Sequence, residues 1–245
     1  MTRQPGRPPT GTDDGLPDTT TDLAAPSLAE DLLLLLFQPD SGTIAGENTL
    51  FYVLGGAVLA DLGLGEHVRT CTGRGGTTTV VAVEERPPSD HVLRSAWEYV
   101  ADKPRGVQTA LAAVGPPLRG PLLDRLVDRG DIRRRTRKAL GLFNTTVLED
   151  GSGRRARLLS DVHQVLVDGT VPTPRTAALA ALLSGSGTLP QFHREIPWTS
   201  TVIARAKELE QGHWGADATA EAVARTVTAT IVSSVVIAAT VPPRA

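Results

Sequence analysis

The stretch SLAEDLLLLLF, residues 27–37, decides the fold class. Ser27 followed by Glu30 has the capping-box spacing that starts a helix, and the run behind it leaves little polar surface to face water. The spacing predicts a helix through about Phe37, buried on most sides. Outward from it, past a loop with Pro39, Asp40 and Gly42, residues Leu50, Phe51, Leu54, Val58 and Leu62 recur at helical spacing up to a stop near Gly65. Gly55 and Gly56 inside this second helix cost about 1 kcal/mol each against alanine, which close helix packing would compensate.

Further along, VRTCT, a GRGG turn and TTTVVAV place β-branched residues on both sides of a glycine turn and predict a β-hairpin. Ser89 caps the helical HVLRSAWEYVAD, VQTALAAV follows Pro104, and LRGPLLDRLVDR ends at Gly130. IRRRTRKALGLFNTTVLED joins a basic arm to an apolar arm and predicts a second hairpin. RARLLSDVHQVLVD stops at Gly169, a helix begun by Thr173 and Pro174 stops near Gly185, and two more helices follow Pro197. The pattern is mainly α: about eight helices and two short β-hairpins in a single helical domain, without a fixed-period repeat.

The chain of 245 residues is long enough to bury one full core. With 4% aromatic residues that core must be built from Leu, Val and Ala. Cys71 is the single cysteine, which excludes an intramolecular disulfide and a thiolate metal cage and fits a reducing, cytosolic setting. Lysine is scarce beside arginine, and Ala, Gly and Pro are abundant, as in proteins of GC-rich bacterial genomes. Residues 1–26 have no signal-peptide core and too little apolar surface to order themselves, so they read as a disordered tail before a domain at 27–245. The uncharged run 226–241 is shorter and more hydroxyl-rich than the roughly 20 apolar residues of a membrane span, and reads as a buried helix.

Charge is segregated. Between Arg119 and Arg157 stand eleven basic residues and five acidic ones, while the whole chain has a net charge of −2. A basic region of this density attracts phosphate-bearing surfaces, and forked guanidinium groups match phosphate. The candidate headgroup-binding residues are Arg119, Arg125, Arg129, Arg133, Arg134, Arg135, Arg137 and Lys138. Beside them Leu140, Leu142 and Phe143 form an apolar hairpin tip that could enter a bilayer interface while the arginines meet headgroups.

Catalytic signals are weak. The five histidines are dispersed without HxxxH or HExxH spacing, Cys71 has no motif around it, and GRGGTTT lacks the lysine and following helix of a P-loop. The expectation is a non-enzyme without a cofactor or metal.

In order along the chain, AEDLLLLLFQPDSG, LGGAVLADLGLGEHV, KPRGVQTAL, PLLDRLVDRGDIRRRTRKALGLF and TPRTAALAALLSGSG resemble the Golgi phosphoprotein 3 family, particularly its bacterial-looking members. The resemblance runs from about Ser27 to Gly187. It implies a mostly helical protein with a four-helix core that binds phosphatidylinositol 4-phosphate on cytosolic membrane faces, inserts a hairpin into the bilayer and can engage cytosolic tails of membrane proteins. The family's lipid pocket uses a tryptophan, an arginine and an arginine pair. These fall here at Gly46, Gly55, Pro116 and Arg119, so only Arg119 matches. The resemblance thus implies a cytoplasmic protein, peripheral on the cytosolic face of a membrane, whose partners are anionic phospholipids.

A rival reading takes residues 107–148 as two helices, a turn and a basic wing, the layout of a winged helix-turn-helix. Asp124 and Asp128 on the second helix, and its lack of Asn, Gln and Ser, count against nucleic acid.

Overall fold

A computed structural model describes residues 25–73, 76–139, 143–212 and 218–240. The reading of the amino-terminal tail therefore lies outside the described residues up to residue 24, as do Leu140 and Leu142 of the expected hairpin tip.

Helix α1, Leu28–Leu36, begins on the complete capping box of Ser27 and Glu30, and all nine of its residues are buried. Its apolar side chains contribute on the order of 1.5–3 kcal/mol each. A short antiparallel pair, β1 (Phe37–Gln38) and β2 (Thr43–Ile44), turns the chain into α2, Leu50–Leu64. This helix is central, in contact with α1 and with five later helices. Gly56 explains its packing: a Cβ there would strike Ile231, and at neighbouring Gly55 a Cβ would lie 3.2 Å from the Leu111 carbonyl. The two glycines thus buy helix approach, as the sequence required.

Strands β3 (Val68–Thr72) and β4 (Thr78–Ala82) form the first expected hairpin, with Val68 opposite Ala82. Helix α3, His91–Asp102, is capped by Asp90, whose carboxylate accepts from the N–H groups of Val92 and Leu93; the cap is one residue later than the sequence predicts. The two-residue β5, Arg105–Gly106, extends the β3–β4 sheet, and α4 (Val107–Val114) and α5 (Arg119–Asp128) follow.

The second hairpin pairs β6, Ile132–Ala139, with β7, Phe143–Asp150, from Ile132 opposite Asp150 to Ala139 opposite Phe143. Its main neighbour outside itself is α5. Helix α6, Arg154–His163, continues into a π-helical turn, residues 164–168, that Gly169 ends. Then come α7 (Pro174–Gly185, with Pro at its start), α8 (Ser200–Glu210) and α9 (Ala218–Thr240). Val223, Val227 and Ile231 of α9 are fully buried, and no described helix is long and apolar enough to cross a membrane. The described residues thus hold nine α-helices and three small antiparallel sheets. The pairs at 37–44 and 105–106 are too short to leave a periodic signal, so the two-hairpin reading omits them.

Candidate functional site

Glu30 and Asp31 sit in the first turn of a helix that has no solvent face, so their carboxylates must find cations inside the protein. Glu30 is fully buried and accepts from the Ser27 N–H and hydroxyl at 2.8 Å each, from Arg129 Nε at 2.8 Å and from Arg125 Nη1 at 3.4 Å. Arg125 also donates to Asp90 at 2.7 Å and to His91 Nδ1 at 2.9 Å. Asp31 is bridged by Arg154 and Arg175. Arg154 continues to Asp131 at the root of β6, which also accepts from the Ser152 hydroxyl. Arg175 reaches Asp61, which caps α1 through the Leu28 N–H at 2.8 Å, and donates to the Pro26 carbonyl at 2.7 Å.

The electrostatics of this network pull in two directions. Burial pushes the Asp31 carboxyl above its ordinary value against the opposing charges of Arg175 and Arg154, and burial does the same at Asp61 against the Leu28 N–H and Arg175. At Asp90 burial also acts upward, but the hydrogen bonds and charge of Arg125 with the Leu93 and Val92 N–H groups outweigh it and hold the carboxyl low.

The predicted headgroup residues therefore separate. Arg125 and Arg129 are corrected out of the exposed set: their side chains are 15% and 14% exposed and turned onto Glu30. Sequence charge density cannot distinguish an arginine facing water from one answering a buried acid ninety-five or more residues away. The missed signal is Glu30-Asp31 itself, two acids inside a run read as buried on most sides.

Arg133, Arg134 and Arg135 are exposed along β6. Arg134 pairs with exposed Asp124 at 2.6 Å and Arg135 with the partly buried Glu149 at 3.1 Å; surface pairs such as the first contribute about 0–1 kcal/mol and exchange readily for another anion. Arg137 and Lys138 stand opposite Thr145 and Asn144 in the same ladder, and Phe143 opens β7; the side chains of these three candidates lie outside the described residues. Arg119, at the start of α5, is half exposed and bonded to Glu47 at 2.7 Å.

The positions that the resemblance assigns to a lipid pocket are occupied differently here. Gly46 has a left-handed backbone (φ 70°) before a short 3-10 turn, and Gly55 packs against Leu111 and Gly115 where an arginine would have no room. The remaining arginine, Arg119, is answered by the residue after Gly46. A neighbouring cleft between α3 and the α4–α5 junction sets His91, Ser95 and Tyr99 against Val114, Pro117 and Leu118. Its imidazole is engaged by Arg125 and its serine hydroxyl by the His91 carbonyl, so it presents no nucleophile with a base. Among the described residues no group of three or more His, Cys, Asp or Glu could hold a metal.

None of the curated proteins compared matches the chain. The family model described as Golgi phosphoprotein 3 (GPP34) matches residues 28–226, from the first residue of α1 into α9 and across the entire β6–β7 ribbon. The chain belongs to the Golgi phosphoprotein 3 family.

Proposed function

We propose that this protein is a non-catalytic peripheral membrane protein that binds anionic phospholipid headgroups on the cytosolic face of a membrane. The observation that carries the reading is the exposed arginine row Arg133–Arg135 on a ribbon whose root is fixed in the core by Arg154. Guanidinium groups exposed on a paired strand attract phosphates, each near-surface charge contributing about 1 kcal/mol, and the apolar residues Leu140, Leu142 and Phe143 supply the second signal stable anchoring requires. Arg137 and Lys138 extend the basic row, and Arg119 joins it by exchanging Glu47 for phosphate.

Phosphatidylinositol 4-phosphate is the headgroup that the family resemblance names. The filled Gly55 position favours general attraction to anionic lipid over a dedicated pocket for that headgroup. Cytosolic tails of membrane proteins are a further partner class that the resemblance offers. The winged-helix reading loses support at α5, because Arg125 and Arg129 are spent on Glu30 and do not face a groove.

Vesicle flotation tests the proposal. The protein should float with anionic and not with neutral vesicles, and lose this on combined Leu142→Asp and Phe143→Asp substitution. Undiminished flotation by the double variant would remove the insertion step; duplex binding with no vesicle association would overturn the proposal.

A further inference from the structure

Strand residues alternate between the two faces of a ribbon, so Arg133, Arg134 and Arg135 do not meet a ligand together. Ile132 is buried, and Arg134, two residues on, shares its face and reaches Asp124 of α5 at 2.6 Å. Arg133 and Arg135 therefore lie on the other face, turned away from α5 and about 7 Å apart along the strand. Cross-strand partners share a face, which puts Glu149, opposite Arg133, beside both arginines. Glu149 stands directly across from Arg133 but bonds diagonally to Arg135 Nε at 3.1 Å, and Arg133 has no ion pair with a described residue.

The two faces differ in charge as a result. Among the described side chains, the face away from α5 sets Arg133 and Arg135 against the single carboxylate of Glu149, whereas the face toward α5 sets Arg134 against Asp124 and Asp150. A phosphodiester carries one negative charge, which the first face attracts and the second repels. We propose that the phosphate of an anionic phospholipid is taken at Arg133, on the face shared with Arg135, and that Glu149 is the specificity-determining residue of this site, opposing the phosphate by like charge. The inference rests on the membrane reading for the source of the phosphate, but not for the face that receives it. Arg133 accepts the anion without giving up a protein partner, while Arg134 has to release Asp124 and leave that carboxylate facing the incoming charge. Glu149 is 27% exposed against 60% for Asp124, so its charge is the less screened of the two. Docking then requires a surface dense enough in anionic lipid to overcome Glu149.

The test uses the full chain. In one arm, glycerophosphoglycerol, the headgroup of phosphatidylglycerol without its acyl chains, is titrated while the side-chain Nε–H resonances of the arginines are followed; those of Arg133 and Arg135 should shift and that of Arg134 should not. In the other, vesicles of phosphatidylcholine containing phosphatidylglycerol are offered to the parent and to single variants. R133Q should bind about fivefold more weakly, E149Q about fivefold more tightly, and R134Q within about twofold of the parent. The pair variant R135Q/E149Q should likewise bind more tightly than R135Q, which separates the charge of Glu149 from its support of Arg135. Equal losses in R133Q and R134Q overturn the choice of face, and E149Q and R135Q/E149Q no tighter than their references overturn the role of Glu149; both results leave the membrane reading intact. Shifts of Arg133 and Arg135 with no vesicle binding by any of the proteins overturn the membrane reading and leave an anion-binding face. Neither shifts nor vesicle binding overturns both.

Discussion

Glu30, fully buried, takes hydrogen bonds from Ser27 and from two arginines, so its contribution depends on the charges left behind when it changes. Glu30→Gln keeps the shape and removes the anion, leaving Arg125 and Arg129 without it. Chemical denaturation should show a loss of about 3–5 kcal/mol, whereas a loss below about 1 kcal/mol would mean the arginines find solvent instead. The carboxyls of the same network act oppositely with pH. Asp31 and Asp61 are raised by burial, so their contribution to stability is complete below the unfolded value near 3.9 and is lost as pH rises through their folded values. Asp90 is held low, so its contribution is present above that unfolded value and is lost as pH falls through its folded one. Unfolding free energies measured from about pH 4 to 7 should therefore decline less with rising pH in Asp61→Asn than in the parent; identical slopes would contradict the burial effect. The Ser27–Glu30 cap was legible as a spacing, but the ion pairs were not, because each depends on a partner from a distant segment.

Helix α2 shows what a sequence can reveal at the scale of an element. Gly55 and Gly56 lower its helical propensity, and that cost is a legible sign of close contact, but the contacting helix is invisible until α9 lies against it. Gly56→Ala should destabilise the fold by about 1–3 kcal/mol through overpacking, and Ile231→Val should recover part of the loss in a double-mutant cycle of thermal unfolding. Strict additivity of the two changes would mean that the helices do not meet at this point. Caps, glycine stops and the β6–β7 pairing were legible for a related reason: each is set by neighbours along the chain, as with Thr173 and Pro174 at the start of α7. The π-helical turn at 164–168 and the strand at 105–106 were not, since a single turn or two residues carry no period. Of the candidate site, the exposed row Arg133–Arg135 was visible as charge density, and the inward turn of Arg125 and Arg129 was not.

For the molecule as a whole, a net charge of −2 conceals a basic ribbon and an acidic remainder. Binding to anionic vesicles should fall steeply with salt in the parent, and replacing Arg133, Arg134 and Arg135 together by Gln should flatten that dependence while leaving the unfolding midpoint nearly unchanged, because these side chains are exposed. A large fall in midpoint would reassign the row to structure. The root of the ribbon adds a mechanical point. Gly151 lies so close to the Gly130 carbonyl that no side chain fits, its N–H donates to the Asp131 carbonyl at 2.9 Å, and Arg154 fastens the same spot to α1. A ribbon bolted in this manner behaves as a bracket and not as a hinge. Whatever surface the ribbon meets, the load passes through Gly151, Asp131 and Arg154 into α1.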